Sequence, residues 1–355
     1  MKANTREQAL SEVMARLSEL LEADRDALTR EPLPDGGKHR PDAAVGADGR
    51  LFLIEWRSSG KVASIARAAD TLRSCIQESS RWNHAVPLLA VPYMADAGRE
   101  RCREAGISWL DLSGNADISA EGLRIRILGQ PNRYPRRGRP SNLFAPKSSR
   151  ITRWLLMHPG RAVSQRELSE RTGVDEGYTS RIVGRLEAGR LIERDSESRV
   201  YAGDPDLLLD AWQEAYDFGH HSVTQGHVAA RSGMEVTSIV SSVLEGQGIE
   251  YGVTGLSAAW LIDGFAGFRI ATVFVSEHPD RGTEEDMGFR PGQRGANTWL
   301  VLPDDPGVFF GTGHRDGIRC VHPLQAYLDL KQHPERGPEA AEHLRLRHLD
   351  WSGDD

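Results

Sequence analysis

A short helix, a tight turn and a second helix are encoded between residues 149 and 201, and this pattern constrains the fold more than any other part of the chain. Ser164 and Glu167 have the spacing of a capping box, in which the serine hydroxyl and the glutamate carboxylate each bond a free backbone N–H at a helix start. The helix that they open carries Leu168. It ends at Thr172 and Gly173, where glycine suits a left-handed cap.

The second helix begins at Val174 and Asp175 and stops at Gly189. Its expected buried stripe consists of Ile182, Val183 and Leu186. Residues 191–194 and 199–201 then predict two short strands around a polar tip at 195–198. This order of elements is that of a winged helix-turn-helix, whose second helix enters a groove of DNA.

The charge around this pattern supports the same interpretation. Residues 131–150 contain six basic residues and no acid, and residues 151–203 contain nine arginines and eight acids. The net charge of this region is therefore +7, although the whole chain carries −7. Local charge steers a protein to DNA, so the acidic total does not argue against binding.

The candidate DNA-binding residues fall into three groups. The arm beside the helix-turn-helix is expected to lie along phosphates or in a minor groove. Arg181 and Arg185 are expected at base edges or nearby phosphates, and Thr179 and Ser180 at phosphates by the helix N-terminus. Arg194 and Arg199 would flank the wing. The complete set is Arg136, Arg137, Arg139, Lys147, Gln165, Tyr178, Thr179, Ser180, Arg181, Arg185, Arg194 and Arg199.

Composition restricts the protein class. The chain has 355 residues, enough for two or three domains, and no apolar run approaches the roughly 20 residues that span a bilayer. The three cysteines are far apart and lack metal-site spacing, so we expect a cytoplasmic protein without a metal or another cofactor.

Residues 1–130 alternate between helices and strands in the predicted order αββαβαβ. Asp42 follows a proline, and Glu55 lies in the string Ile54-Glu55-Trp56-Arg57. This pair resembles the PD-(D/E)xK restriction-endonuclease-like superfamily. The resemblance implies a nuclease in which Asp42 and Glu55 hold Mg²⁺ and a lysine assists the attacking water.

The lysine position of that pattern is Arg57 here. Arginine stays protonated and its planar fork differs from a point ammonium, so the replacement predicts an inactive domain. Lys61 lies four residues further on and is the remaining candidate for the missing lysine. The alternative to a metal site is that Asp42 ends a turn and Glu55 pairs with Arg57 or Arg40.

The string Asp111-Leu112-Ser113-Gly114-Asn115 predicts a tight turn, with either a structural or a contact role. Together with the arginine-rich arm and the helix-turn-helix, it resembles the AbiEi-type antitoxins of type IV toxin–antitoxin systems, most closely over about 107–215. That resemblance implies a DNA-binding repressor of its own operon and a nucleotidyltransferase toxin as partner. The domain at 1–130 is absent from the short family members.

The C-terminal part, 204–355, predicts a mixed α/β domain with strands at 269–275, 298–302, 308–310 and 318–321. Thr254 to Ala259 before a strand resembles the nucleotidyltransferase fold, in which acids on the next strand hold Mg²⁺. The corresponding positions are Val273 and Val275, which cannot ligate a hard cation. The resemblance therefore implies a degenerate, binding-only version. His220, His221 and His227 are expected to lie in a polar loop.

The sequence thus predicts an α/β multidomain protein with a restriction-endonuclease-like domain at 1–130, a basic arm at 131–147, a winged helix-turn-helix at 148–203 and a mixed α/β domain at 204–355. The predicted function is sequence-specific binding of double-stranded DNA by a homodimeric, non-enzymatic transcriptional repressor. The alternatives are a Mg²⁺-dependent nuclease and a toxin-binding antitoxin acting through its C-terminal domain.

Overall fold

The computed structural model describes residues 6–23, 28–33, 40–134, 142–349 and 351. The chain divides into two compact units. The first comprises residues 1–140 with 186–191, and the second comprises residues 141–185 with 192–355. The second unit therefore contains most of the winged-helix pattern together with the C-terminal sheet. Among the described residues, no helix has both the length and the apolar character needed to cross a bilayer.

The first unit is built on a seven-stranded mixed sheet whose strands follow one another in chain order. Its three central strands are parallel, and the remaining pairs are antiparallel. The strands are β1 (Thr29–Glu31), β2 (Ala43–Ala47), β3 (Arg50–Trp56), β4 (Val86–Val91), β5 (Ser108–Asp111), β6 (Ala116–Ala120) and β7 (Leu123–Ile127). The predicted order αββαβαβ is present. The hairpin β6–β7 and the short β1 were not predicted.

Helices cover both faces of this sheet. Helix α1 (Arg6–Leu20) packs Val13 and Leu17 against one face, in a core that includes Phe52 and Leu110. Helices α2 (Val62–Glu78) and α3 (Asp96–Glu104) provide the β3–β4 and β4–β5 crossovers and cover the other face. Both faces of the parallel strands are buried, which is why β3 and β4 read as continuous apolar runs.

The turn after β5 is an interlocked set of hydrogen bonds. Asp111, Ser113 and Asn115 are fully buried. One carboxylate oxygen of Asp111 accepts the N–H groups of Gly114 and Asn115, and the other accepts the Met94 N–H. Gly114 has φ +115°, a conformation that favours glycine. These bonds support the structural interpretation of the turn, because its polar side chains are used inside the fold.

The winged-helix pattern folds as the sequence predicts. Its elements are α4 (Pro146–Met157), α5 (Gln165–Thr172), α6 (Glu176–Ala188), β8 (Glu193–Arg194) and β9 (Val200–Tyr201). The two strands pair antiparallel, and a bridge between Val163 and Val200 extends this small sheet. Ile182, Val183 and Leu186 are buried, as the periodicity predicts.

The rest of the second unit contains a seven-stranded mixed sheet of order β13-β10-β14-β12-β11-β16-β15. Its strands are β10 (Ser222–His227), β11 (Tyr251–Thr254), β12 (Ala271–Val275), β13 (Arg290–Pro291), β14 (Thr298–Leu302), β15 (Gly313–Arg315) and β16 (Ile318–Cys320). The accompanying helices are α7 (Pro205–Gln213), α8 (Gly233–Gly246), α9 (Gly255–Asp263), α10 (Arg281–Met287), α11 (Pro323–Leu330) and α12 (Gly337–His348).

Two predictions for this region are wrong. The segment 308–310 is not a strand, because Pro306–Phe309 forms a 3-10 helix that Asp305 caps at the N–H of Gly307. The histidine segment is not simply a polar loop, because residues 222–227 form β10 and pair with β14. Most residues of Ser222–His227 are polar, so the sequence pattern did not indicate a strand. The strands that pair with it, β13 and β14, are distant in sequence.

Candidate nucleic-acid interface

The turn between α5 and α6 is held by local caps. Ser164 accepts the N–H of Glu167 at 3.1 Å, and Gly173 adopts φ +64° after α5. In place of the second predicted bond of the capping box, the Glu167 carboxylate accepts a hydrogen bond from Arg161 at 2.9 Å. Asp175 caps α6 by accepting the Tyr178 N–H at 2.9 Å, which lowers the pKa of Asp175. These bonds fix the start of each helix.

The outer face of α6 has a distinct composition. Arg181 and Arg185 are exposed one turn apart, and neither makes an ion pair within the described part of the chain. Ser180, Gly177 and Gly184 are exposed on the same side of the helix. A Cβ added at Gly184 would meet no atom within 4 Å. Two guanidinium groups without an ion-pair partner among the described residues therefore lie beside small residues, which let another molecule approach the helix backbone.

Thr179 must be removed from the predicted contact set. Its side chain is fully buried, and its hydroxyl donates to the Val174 carbonyl oxygen at 3.3 Å. The prediction placed Thr179 at a phosphate because it lies in the first turn of α6. Its position on the helix instead points it into the fold beside Ile182 and Val183, whereas Ser180 is exposed.

Three predicted residues meet at the beginning of α6. The Arg181 guanidinium lies over the Tyr178 ring at 5.3 Å from the centroid, and the Lys147 ammonium lies 5.8 Å from the same ring. Lys147 also pairs with Asp175 at 3.3 Å. Both cations are exposed, and because Asp175 offsets the charge of Lys147, Arg181 supplies the net positive charge of the cluster. Gln165 is partly exposed at the start of α5.

The two wing arginines are held by the hairpin. Arg194 donates from Nη1 to the Ser198 carbonyl oxygen at 2.9 Å, and Arg199 pairs through Nε with Asp195 at 2.8 Å. Asp195 also accepts the Arg199 N–H, and Ser198 adopts φ +61°. These arginines shape the wing tip as well as carrying its charge. Arg136, Arg137 and Arg139 lie outside the described residues.

The nuclease-like pair lies on adjacent backbone segments but already has cationic partners. The Asp42 carboxylate accepts the Trp56 N–H at 2.7 Å and pairs with Arg6. Glu55 is 3% exposed and pairs with Arg57, as the alternative interpretation predicted. Burial raises the pKa of Glu55 despite this pairing. Lys61 is exposed at the start of α2, so the structure brings together the two acids and two arginines.

The C-terminal sheet places Val273 and Val275 fully buried in β12. Their side chains supply no ligand at the positions where the nucleotidyltransferase resemblance would need acids. His221 forms hydrogen bonds to Tyr216 and to the Asp304 N–H, and its burial lowers its pKa to about 4. Within the described residues, no group of three or more histidine, cysteine or acidic side chains has metal-binding geometry.

Sequence reasoning did not assign Gly177 and Gly184 to the interface. The signal was available, since two glycines seven residues apart in a helix lie on one face. Glycine in a helix interior costs about 1 kcal/mol relative to alanine, so its presence on the exposed face calls for a reason other than stability.

Comparison with known proteins identifies the central region. A model of the MarR family matches residues 146–199, which run from α4 to the wing tip. No curated protein and no solved structure matches the chain. The MarR-family match supports a DNA-binding transcriptional regulator with a winged helix-turn-helix at its centre.

Proposed function

We propose that this protein is a sequence-specific, double-stranded-DNA-binding transcriptional repressor that inserts α6 into the major groove. The observation that carries the proposal is the outer face of α6. Arg181 and Arg185 are exposed there without ion-pair partners among the described residues, beside Ser180, Gly177 and Gly184. The match of residues 146–199 to the MarR family supports the same function.

Side-chain size supports deep insertion of this helix. The small residues at 177, 180 and 184 allow the α6 backbone to approach the base edges, and the two arginines then reach guanine or a phosphate. An arginine that binds O6 and N7 of guanine contributes about 1–3 kcal/mol of discrimination against the wrong base. Lys147 and the wing would contact the flanking phosphates, which fix orientation and carry no sequence information.

The two units suggest a division of labour within the repressor. The first unit buries both acids of its nuclease-like pair against arginines, so we propose a non-enzymatic role for it. The antitoxin role is the narrower form of the proposal and requires a toxin that binds the C-terminal sheet. Co-purification of the chain with a nucleotidyltransferase encoded beside it would test that narrower form.

The test begins with selection of the preferred duplex from a random library, followed by gel shifts over a salt series. Arg181→Ala should reduce the ratio of cognate to random affinity by about 5- to 150-fold, the equivalent of one lost bidentate contact. The matched control is Arg281→Ala, which removes an arginine side chain that is 91% exposed on α10. Sedimentation of the complex should show two chains on a two-half-site duplex.

Three results would count against this arrangement. Equal loss of affinity on cognate and random DNA would show that Arg181 contacts only phosphate, and the salt slope would then fall by about one. Unchanged binding in both Arg181→Ala and Arg185→Ala would remove α6 from the interface. A single chain on the duplex would refute the homodimer.

A further inference from the structure

A small cavity lies where the winged helix meets the C-terminal region inside the second unit. Its volume is about 60 Å³. The wall from α4 and the residues before it includes Phe144 and Arg153, and the end of α7 contributes Trp212. The loop after β14 contributes Asp304 and Val308. The cavity therefore touches both the winged-helix region and the loops and helices that follow it in the second unit.

Arg153 is the unusual member of this wall. It is 2% exposed, and its Nη2 donates to Oε1 of Gln325. Nε and Nη1 are buried without a hydrogen-bond partner among the described residues. The guanidinium lies 5.1 Å from the Trp212 ring centroid, a contact that supplies no acceptor. Burial lowers the pKa of Arg153 to about 10, so the group stays charged at neutral pH.

The neighbouring carboxylates are engaged elsewhere. Both oxygens of Asp305 bind Arg150 at 2.7 Å. Asp329 accepts hydrogen bonds from Thr254, Tyr216 and Gln325. Burial also raises the pKa of Asp329 to about 7, which weakens it as a counter-ion at neutral pH.

His221 completes the polar wall. Its Nδ1 accepts the Asp304 N–H, so its Nε2 carries the proton and donates to the Tyr216 hydroxyl. The Tyr216 hydroxyl in turn donates to Asp329. The polar groups of this network are thus paired with one another, whereas Arg153 keeps two nitrogens that have no acceptor.

Buried guanidinium N–H groups without acceptors are destabilising, and a bound anion would supply the missing hydrogen bonds. We propose that the cavity binds a small aliphatic monocarboxylate whose oxygens supply the acceptors that Arg153 lacks. This ligand site is independent of the DNA-binding surface on α6. It places a small molecule between α4 and the C-terminal region.

Size, charge and polarity select this ligand class. A cavity of about 60 Å³ admits only a few heavy atoms. Asp217 and Asp304 also border it, and their negative charge disfavours a multiply charged anion such as phosphate. Phe144, Trp212 and Val308 provide apolar surface for a short hydrocarbon chain.

The experiment is isothermal titration calorimetry of the full chain, without DNA, against sodium formate, acetate, propionate and butyrate. Sodium chloride at matched ionic strength and sodium phosphate are the comparison ligands. We expect saturable one-to-one binding of at least one carboxylate. Arg153→Met should weaken it at least tenfold, because methionine fills similar space without the charge. The matched control, Arg281→Met on exposed α10, should bind as the unaltered chain does.

Ala215→Leu provides a second variant that leaves Arg153 in place. Ala215 borders the cavity and is partly exposed, so a larger side chain there can fill the space from its edge. This variant should also lose carboxylate binding, and it decides the question if Arg153→Met does not fold. The proposal is overturned if no carboxylate binds, if phosphate alone binds, or if a folded Arg153→Met or Ala215→Leu binds as tightly as the unaltered chain. None of these results bears on DNA recognition by α6.

Discussion

At the scale of single residues, arginines on α4 and α6 lie in opposite environments. Arg181 and Arg185 are exposed on α6 and unpaired among the described residues, which makes them available to an anionic partner. Arg153 on α4 is buried, and two of its nitrogens have no acceptor in the part of the chain that the structure describes. Burial, and not residue type, therefore separates the exposed arginines of the proposed DNA-binding face from the buried arginine of the proposed ligand site.

Gly184 allows a residue-scale prediction that separates stability from binding. Gly184→Ala should raise the free energy of unfolding by about 0.8–1 kcal/mol, because alanine favours a helix and its Cβ would meet no atom within 4 Å. DNA affinity should change little, since a methyl group scarcely raises the helix surface. Gly184→Glu should keep the fold but abolish binding, because its carboxylate would face phosphates and base edges.

Urea unfolding and gel shifts on the selected duplex measure the two effects. Gly246→Glu is the matched control, because Gly246 ends α8 and a Cβ there also meets open space. Retained DNA binding in Gly184→Glu would place the duplex elsewhere on the protein.

At the scale of elements, α4 is anchored to the loop after β14 by one strong ion pair. Arg150 binds both oxygens of Asp305 through Nε and Nη2, and the two side chains are 18% and 13% exposed. Asp305 also caps the 3-10 helix Pro306–Phe309. A bidentate pair that is mostly shielded from water is stronger than a surface pair. This contact holds the winged helix in place relative to the C-terminal sheet.

A double-mutant cycle with Arg150→Met and Asp305→Asn measures this anchor, since asparagine can keep the cap while losing the charge. We expect a coupling free energy of about 1–3 kcal/mol in urea unfolding. The exposed pair Arg281–Glu285 on α10 is the control, with an expected coupling of about 0.3–0.5 kcal/mol. Additive effects at Arg150 and Asp305 would mean that the pair does not stabilise the junction.

At the scale of the whole molecule, two seven-stranded sheets organise the chain, one in each unit. In the second unit, Asp329 of α11 accepts hydrogen bonds from Thr254 of β11 and from Tyr216, which follows α7. Gln325 links this network to Arg153 of α4. A polar network that ties several elements together couples their stability to its protonation state.

The pKa of Asp329 predicts a pH dependence with a definite sign. Burial raises its pKa to about 7 from an ordinary value of 3.8, so the folded state holds a proton that the unfolded state releases. Its contribution to stability is complete below about pH 4 and is lost as the pH rises through about 7. Relative to Asp329→Asn, the unaltered chain should lose up to about 1.4 kcal/mol of unfolding free energy per pH unit between these values.

Urea unfolding from about pH 4.5 to about pH 8 measures this difference. Asp286→Asn on exposed α10 should leave the pH profile unchanged. Parallel profiles for the unaltered chain and Asp329→Asn would show that the carboxyl is ionised in the fold throughout this range.

The local features of this protein follow from residues that are close together in the chain. The sequence predicted the helix caps at Ser164 and Gly173, the buried stripe of α6 and the strand that contains Val273 and Val275. Each of these features depends on such neighbouring residues. The alternation of helices and strands in the first unit was predicted for the same reason. The strand β10 was missed, because its partner β14 lies some 70 residues away.

Contacts between distant segments set which polar side chains are buried, paired or exposed. They bury Thr179, pair Asp42 and Glu55 with arginines, and leave Arg181 and Arg185 exposed. They also bury Arg153 beside a cavity, where two of its nitrogens have no hydrogen-bond partner among the described residues. These outcomes depend on segments far apart in the chain that come together on folding, and burial sets both the cost of a charge and its access to a partner.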